Sequence, residues 1–263
     1  MKCMKLKRNA RWRSIALVAV AVFTVAMTSG SLSAAAITGS FGTTGAGVDA
    51  FSNLGIHYID WCPTQPAPSA PATPCTGSAG GTGTITAYNG SGTFTPVGTG
   101  GTTTVGTIKD MADAPSAGFT TFPVGVPVSI DNWLTLAALP NLNFRATQFV
   151  PATCVTTATQ TCIGGFLLSQ IANNVTVSMT INGIVIDTSG VLSSAAFTDA
   201  ISGQFNDTTM AAVAAAANSP TGIFSNTWSG SVNTSAIPEP ATFGLIGFAL
   251  LALGAVKYKR ITV

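Results

Sequence analysis

Alternation of apolar and polar residues predicts β-strands over most of the central part of the chain. In residues 175–181 apolar and small polar side chains alternate strictly, as they do in a half-buried strand. Asn182-Gly183 and a second apolar run at 184–187 follow. Asn-Gly between two such runs is typical of a type I′ turn, because both central residues of that turn need a positive φ. We therefore predict a hairpin centred on Asn182-Gly183.

Further strands are predicted where short apolar runs lie between Gly, Pro and Asn turns. They are residues 56–61, 84–88, 92–97, 103–109, 126–130, 142–150 and 165–170, and a final strand that contains Phe224, Trp228 and Val232. One helix is predicted over 208–217 with Asp207 as its N-cap, and a short helical turn is predicted between 130 and 139. Regular strands between turns favour a mainly β fold, sandwich or jelly-roll-like, with one short helix.

An apolar segment near the N-terminus is typical of a secretory signal peptide. Residues 1–14 are strongly basic, 15–27 are apolar except for Thr24, and small residues follow up to Ala36. Thirteen residues make about 20 Å of helix, short of a hydrocarbon core of about 30 Å. We predict that residues 1–36 are a signal peptide cleaved after Ala36; the alternative is an uncleaved anchor. Residues 37–236 are then a secreted β-rich domain.

A second apolar segment lies close to the C-terminus. Pro238-Glu239-Pro240 is followed by sixteen uncharged residues, 241–256, and then by the basic residues Lys257, Lys259 and Arg260. The apolar run makes about 24 Å of helix, and flanking residues can adjust for such a deficit. Because basic residues stay on the cytoplasmic side, we predict a single transmembrane helix over 241–256 with an extracellular body. The alternative is a buried core helix.

The C-terminal residues resemble the PEP-CTERM sorting signal of Gram-negative bacteria. Pro-Glu-Pro, a short Gly/Leu/Ala-rich apolar run and a basic end carry the resemblance over residues 237–263. It implies an exported protein that is anchored transiently in the inner membrane by this segment. It also implies recognition by an exosortase near Pro238-Glu239-Pro240, the sorting motif, with Lys257, Lys259 and Arg260 as a basic stop. Partners are then the exosortase and the export machinery, and the destination is the cell surface or the medium.

The same resemblance carries expectations about the biology of the body. PEP-CTERM proteins accompany exopolysaccharide and biofilm matrix, and a similar tail occurs on some ice-binding proteins. Residues 165–236 are also similar to uncharacterised secreted proteins that bear this tail, which brings no known activity. The implied function is therefore that of a non-enzymatic matrix protein, and polysaccharide is a candidate partner.

Charge and composition exclude several function classes for residues 37–236. This body contains Lys109 and Arg145 against eight Asp, a net charge of −6, and nucleic-acid binding needs clustered Lys and Arg. It holds one histidine, His57, and no Glu, which leaves little acid–base chemistry. We expect no enzyme activity, no catalytic residues and no cofactor, and we expect His57 to be a hydrogen-bonded structural residue.

Four cysteines of the body predict disulfides. An even number of cysteines in an exported chain is typical of disulfide bonding, and three connectivities are possible for Cys62, Cys75, Cys154 and Cys162. Local pairing is favoured, because Cys62 and Cys75 bracket a proline-rich surface loop and Cys154 and Cys162 a threonine-rich one. A zinc site is the alternative, although no Cys-x-x-Cys occurs and one His cannot complete the usual ligand sets.

Carboxylates offer two weaker alternatives. Glycoside hydrolysis needs two facing carboxylates, and Asp110 and Asp113 are the two Asp closest in sequence. Their spacing fits a turn or a helix cap equally well. Calcium bound by Asp carboxylates and loop carbonyls is the other alternative, but no EF-hand-type loop occurs. We therefore expect no metal site.

The main rival function is a carbohydrate-binding module. Its sugar-stacking platforms would be drawn from the aromatic residues Tyr58, Trp61, Tyr88, Trp133 and Trp228. Ice binding is a further alternative, since Thr rows at 82, 84 and 86 and at 93 and 95 could order water. Ordinary β propensity of Thr accounts for the same pattern. An exposed aromatic patch would favour the binding module.

Overall fold

The computed structural model describes residues 34–53, 56–62, 81–98, 102–219 and 223–237. The strands are β1 (Ala35–Ala36), β2 (Gly39–Asn53), β3 (Ile56–Trp61), β4 (Thr82–Tyr88), β5 (Thr103–Lys109), β6 (Met111–Ala112), β7 (Thr120–Thr121), β8 (Ile130–Leu136), β9 (Leu142–Phe149), β10 (Gln160–Ile163), β11 (Phe166–Ile171), β12 (Asn174–Asp187), β13 (Leu192–Ser193), β14 (Ala195–Phe205) and β15 (Ile223–Ala236). A 3-10 helix covers Gly92–Val97, and one α-helix, α1, covers Met210–Ala217.

Eight antiparallel strands form a closed, barrel-like sheet. Their order is β2-β4-β5-β8-β9-β12-β14-β15, and β15 pairs with β14 on one side and with β2 on the other. A closed ring leaves no unpaired sheet edge among these strands. The prediction of a mainly β fold with a short helix is confirmed, whereas the predicted sandwich or jelly roll is wrong.

The ring closes because its longest strands change partners along their length. The first half of β12 pairs with β11 and the second half with β9, with a register shift between Asn182 and Gly183. The predicted hairpin at these residues is therefore wrong. Gly183 has no positive φ; a Cβ at this position would overlap the ring of Phe197 and the carbonyl oxygen of Arg145. The glycine permits close packing in the middle of a strand.

Two other segments differ from their predictions. Residues 92–97 form a 3-10 helix instead of a strand, and Phe94 and Val97, three residues apart, are its buried side chains. That spacing is one turn of a 3-10 helix. Residues 126–129 are not a strand, since Pro127 has no N–H for a sheet ladder. The predicted helical turn between 130 and 139 is instead occupied largely by β8, which starts at Ile130.

Most remaining predictions agree with the structure. Strands β3 and β5 have the predicted bounds, and β4, β9 and β11 lie within two residues of them. Helix α1 begins two residues late, and its N-cap is Thr209, whose side chain accepts a hydrogen bond from the N–H of Ala212 at 3.2 Å. Asp207 is not the cap. The final strand is β15, and its residues Trp228 and Val232 are buried as predicted.

Packed aromatic rings fill one end of the barrel-like sheet. The Phe41 ring lies 5.0 Å from that of Phe94 and 5.8 Å from that of Phe144, and Phe144 lies 5.8 Å from Phe197. All four side chains are buried. The 3-10 helix joins β4 to β5 at this end and supplies Phe94. We call this the capped end; β2 begins there, and β15 ends there, with Gly39 opposite Thr234.

Both predicted membrane-directed segments fall on parts of the chain that the structure does not describe. These are most of the signal peptide, residues 1–33, and the transmembrane segment 241–256. Within the described ranges no helix is long and apolar enough to cross a membrane. Ile37, the residue after the predicted cleavage point, has a fully buried side chain in the main core cluster.

Candidate functional site

Opposite the capped end the sheet spreads and encloses a cavity of about 440 Å³. The later part of β2 pairs with β3, which continues to β6, while the earlier part of β12 pairs with β11 and β10. Helix α1 lies beside β10 and β11. These two extensions and the helix form most of the wall of the cavity, and Phe122, Val124, Phe149 and Phe205 complete it. We call this the cavity end.

The wall of the cavity is almost entirely apolar. Its lining residues are His57, Tyr58, Ile59, Met111, Ala112, Asp113, Phe122, Val124, Phe149, Ile163, Gly164, Gly165, Phe166, Leu168, Val177, Phe205, Val213 and Ala217. Only His57, Tyr58 and Asp113 among them carry polar side-chain groups. A concave, mostly apolar space with a few polar groups, within the range of about 300–1,000 Å³, is typical of a small-molecule site.

Helix α1 contributes one face to this wall. Val213 and Ala217 are four residues apart and therefore share a side of the helix. Val213 packs with Leu168 and Val175 in a second core cluster, separate from that of the barrel interior. The Gln170 side-chain oxygen accepts a hydrogen bond from the N–H of Met210 at 2.8 Å. The first turn of the helix is thus bound to β11.

The turn between β10 and β11 brings an aromatic ring against the backbone. Gly164 has a φ of +57°, a conformation that glycine adopts without a steric penalty. A Cβ on Gly165 would overlap the ring of Phe149. That ring also lies 5.5 Å from Phe166 and 5.8 Å from Phe122. The glycine pair therefore allows three aromatic rings to line one side of the cavity.

A histidine–aspartate pair is the main polar feature of the wall. The Asp113 carboxylate accepts a hydrogen bond from the His57 backbone N–H at 3.0 Å, and its Oδ2 lies 2.6 Å from His57 Nδ1. The backbone N–H of Asp113 donates to the His57 carbonyl at 3.1 Å. The expectation of a hydrogen-bonded His57 is confirmed, and its side chain is 43% exposed.

Tyr58 is held at the same wall by two neighbours. The Ser116 hydroxyl donates to the Tyr58 hydroxyl at 3.2 Å, and the ring of Phe119 lies edge-on to the Tyr58 ring, with centroids 4.8 Å apart. Tyr58 is 8% exposed. Its ring is therefore part of the wall, with little surface left for stacking on a sugar.

Among the carboxyl groups buried away from the cavity lining, those of Asp110 and Asp199 have raised pKa values. Asp110 Oδ1 accepts from the Trp61 backbone N–H at 2.8 Å, and burial raises the pKa of Asp110 to about 6. Asp199 is fully buried and has no hydrogen-bond partner among the described residues, and desolvation raises its pKa to about 7. Asp110 and Asp113 thus make separate contacts. Within the described ranges no three His, Cys, Asp or Glu side chains are grouped to hold a metal ion.

The cysteines support the predicted local pairing where the structure describes them. Cys154 and Cys162 form a disulfide beside β10, which confirms that pair. Cys62 is also disulfide-bonded. Cys75 lies outside the described residues, so the pairing of Cys62 with Cys75 stays a prediction.

Most of the aromatic residues considered for sugar stacking are in the interior. Trp61, Trp133 and Trp228 are no more than 3% exposed, and Trp61 lies 4.6 Å from Trp228 and 6.5 Å from Trp133. The Tyr88 ring lies against Gly42. An exposed stacking platform is not formed by the tryptophans.

The structure places the two Thr rows that were considered for ice binding in different kinds of secondary structure. Residues 82, 84 and 86 alternate with buried residues along β4 and thus share its outer face. Residues 93 and 95 lie in the 3-10 helix instead of a strand. The second row is therefore not part of a flat sheet surface.

One comparison with known proteins gives a match. Residues 236–260 match the PEP-CTERM protein-sorting motif, and no curated protein and no solved structure matches the chain. The matched range includes Pro238, Glu239 and Pro240 and the basic residues Lys257, Lys259 and Arg260, all of which lie outside the described residues. The match supports export, a transient membrane anchor and processing by an exosortase. The chain therefore carries the sorting signal of PEP-CTERM proteins.

Proposed function

We propose that the sorted body is a non-enzymatic extracellular binding module that takes an apolar small molecule in the cavity at its cavity end. The cavity of about 440 Å³, lined mostly by apolar side chains, carries this proposal. Burial of apolar ligand surface is favourable at about 25 cal/mol per Å². The wall therefore supplies binding energy without a charged anchor.

The arrangement of polar groups supports binding without catalysis. His57 and Asp113 are hydrogen-bonded to one another, and the hydroxyl group of Ser116 donates a hydrogen bond to that of Tyr58. Acyl transfer by a histidine needs a nucleophile within hydrogen-bond reach of that histidine. Ser116 is instead bonded to Tyr58.

We further propose that the released protein works in the polysaccharide layer or biofilm matrix at the cell surface. This part rests on the resemblance of the tail to PEP-CTERM proteins and on the sorting-motif match. The interior position of the tryptophans favours a hydrophobic ligand over direct stacking on sugar rings.

Binding of the apolar fluorophore N-phenyl-1-naphthylamine tests the cavity. The exported, processed protein is purified without detergent, because detergent chains would compete for the same space. We expect saturable fluorescence enhancement, and we expect Val177→Phe to weaken it at least tenfold because the larger ring fills the cavity. Val105→Phe is the matched control, since Val105 is 57% exposed on β5 and does not line the cavity.

Ala217→Leu fills the cavity from the helix side. This variant replaces Val177→Phe in the binding test if Val177→Phe does not fold. Absence of saturable fluorophore binding by the unaltered protein would contradict the proposed function. Equal binding by the two valine variants would place the fluorophore elsewhere on the protein and would contradict it as well.

A further inference from the structure

The charge of the cavity wall restricts which molecules fit it. Asp113 is the only acidic residue of the wall, and among the described residues neither Lys nor Arg lines the cavity. Arg145 forms an ion pair with Asp131 instead, at an N–O distance of 2.5 Å. A ligand with an anionic head group would therefore meet the Asp113 carboxylate without a lysine or arginine to offset it.

The hydrogen bonds of His57 fix the role of its second ring nitrogen. A carboxylate can only accept hydrogen bonds, so Nδ1 carries the proton in the 2.6 Å contact with Asp113 Oδ2. Nε2 of the neutral imidazole is then an acceptor. Within the described ranges no residue is hydrogen-bonded to Nε2. The wall thus offers one acceptor suited to a hydroxyl donor.

We propose that the cavity takes a single-chain amphiphile with a neutral hydroxyl head group, and that His57, positioned by Asp113, is the residue that selects the hydroxyl. This inference rests on the proposed function, because it names the ligand class of the same cavity. The apolar chain lies against the ring-lined wall formed by Phe149 and Phe166. The hydroxyl donates to Nε2 at the partly exposed polar edge. Asp113 orients the imidazole and disfavours carboxylate head groups.

Displacement of the bound fluorophore tests this with ligands that differ only in their head group. The four ligands are 1-dodecanol, 1-methoxydodecane, dodecanoate and dodecyltrimethylammonium, all at pH 8 and below their micelle concentrations. The methyl ether matches the alcohol but lacks its donor. We expect the alcohol to displace the fluorophore at a concentration about three- to tenfold lower than the ether, the effect of one net hydrogen bond. Displacement by dodecanoate should require a concentration at least tenfold higher than displacement by the alcohol.

Two variants of the polar pair assign the selectivity to residues. His57→Phe should keep fluorophore binding but remove the preference for the alcohol over the ether. Asp113→Asn should improve displacement by dodecanoate relative to the alcohol, because the negative charge is lost. A purely structural role of these residues would change the binding of all four ligands by the same factor, and that result would overturn the inference.

The outcomes separate this inference from the proposed function. Fluorophore binding with no preference for the alcohol over the ether, or with tighter binding of dodecanoate or of the cationic amphiphile, would overturn the hydroxyl selectivity and leave an apolar-ligand site. Failure of the fluorophore itself to bind would overturn both.

Discussion

The capped end and the cavity end of the barrel-like sheet are made from similar side chains but are filled differently. At the capped end, four phenylalanine rings pack at centroid distances from 5.0 to 6.0 Å. At the cavity end, the rings of Phe122, Phe149 and Phe166 are also in contact, but they line one wall of the cavity of about 440 Å³.

Strand pairing explains the difference between the two ends. At the capped end eight strands pair in a ring, and a ring of about eight strands is just wide enough for side chains to fill. At the cavity end β2 pairs with the additional strand β3, and β12 pairs with the additional strand β11. The sheet is therefore wider here than the eight-stranded ring. We infer that the closed part of the sheet supplies stability and the spread part supplies space for a ligand.

Paired truncations of phenylalanines test this difference most strongly. Phe144→Ala should lower the free energy of unfolding by about 4 kcal/mol, because it opens a void within close-packed rings. Phe166→Ala should lower the free energy of unfolding by about half as much, because the Phe166 ring already borders the cavity and has fewer neighbours to lose. Urea unfolding of both variants, followed by tryptophan fluorescence, measures the difference. Equal losses would show that the two ends are packed alike.

Gly183→Ala tests whether the ring closes through a continuous β12. A Cβ at Gly183 would overlap Phe197 and the Arg145 backbone, so we expect a loss of about 3 kcal/mol from overpacking. Asn182→Ala is the control. It should lower the free energy of unfolding by less than about 1 kcal/mol, because Asn182 lies in a strand and not in a turn, and its side chain accepts an exposed hydrogen bond from Thr198. Comparable losses for the two variants, measured by urea unfolding, would instead indicate a type I′ turn.

Asp199 makes the stability of the packed ring depend on pH. Burial raises its folded pKa to about 7 from 3.8. Below about pH 4 the Asp199 carboxyl is protonated in both the folded and the unfolded state, and its full contribution to stability is present. As the pH rises towards about 7, the carboxyl loses its proton in the unfolded state first. The free energy of unfolding then falls by up to about 1.4 kcal/mol per pH unit.

Asp199→Asn should remove the part of the slope that Asp199 causes and leave the part below about pH 6 that comes from Asp110. The variant should be more stable than the unaltered protein at pH 8. Asp207→Asn, at an exposed position, is the matched control and should keep the slope. Thermal unfolding between pH 4 and pH 8 gives the comparison. Parallel curves for Asp199→Asn and the unaltered protein would show that this carboxyl does not titrate with folding.

Glu239→Ala should have the smallest effect on the body and the clearest effect on sorting. Two prolines flank Glu239 and disfavour its inclusion in a helix interior or a strand ladder, and β15 ends before it at Ala236. We expect an unchanged melting temperature but a protein retained unprocessed in the membrane fraction. Fractionation and immunoblotting check this; normal processing would mean that Glu239 is not recognised, and unfolding would place the tripeptide within the fold.

Local patterns predicted strands well but not the partners of those strands. Residues 56–61 and 103–109 follow simple alternation, which reports the burial of one face. Asn182-Gly183 also gave a strong local pattern, yet its glycine is required by the Phe197 ring on β14. Contacts between distant strands decide that outcome, and no window of sequence contains them.

The candidate site was almost invisible in the sequence for the same reason. His57 was predicted to be hydrogen-bonded, but its partner Asp113 is 56 residues away. The helix over 208–217 was predicted, but the sequence analysis assigned no contacts to Val213 and Ala217, which line the cavity. The PEP-CTERM motif was predicted and is confirmed by the match at residues 236–260, because its recognition depends on consecutive residues and needs no fold, whereas the transmembrane helix over 241–256 stays a prediction.

The course of β15 sets the direction in which the cavity faces during the anchored stage. This strand starts opposite Phe51 near the cavity end and finishes opposite Ala195 at the capped end, a distance of about 45 Å for 14 residues. The chain also enters the sheet at Gly39 beside Thr234. Both connections to membrane-directed segments therefore leave from the capped end. The proposed ligand cavity therefore lies at the end of the sheet remote from Ala236, and we expect a tethered protein to exchange ligand with the surrounding medium instead of with the bilayer.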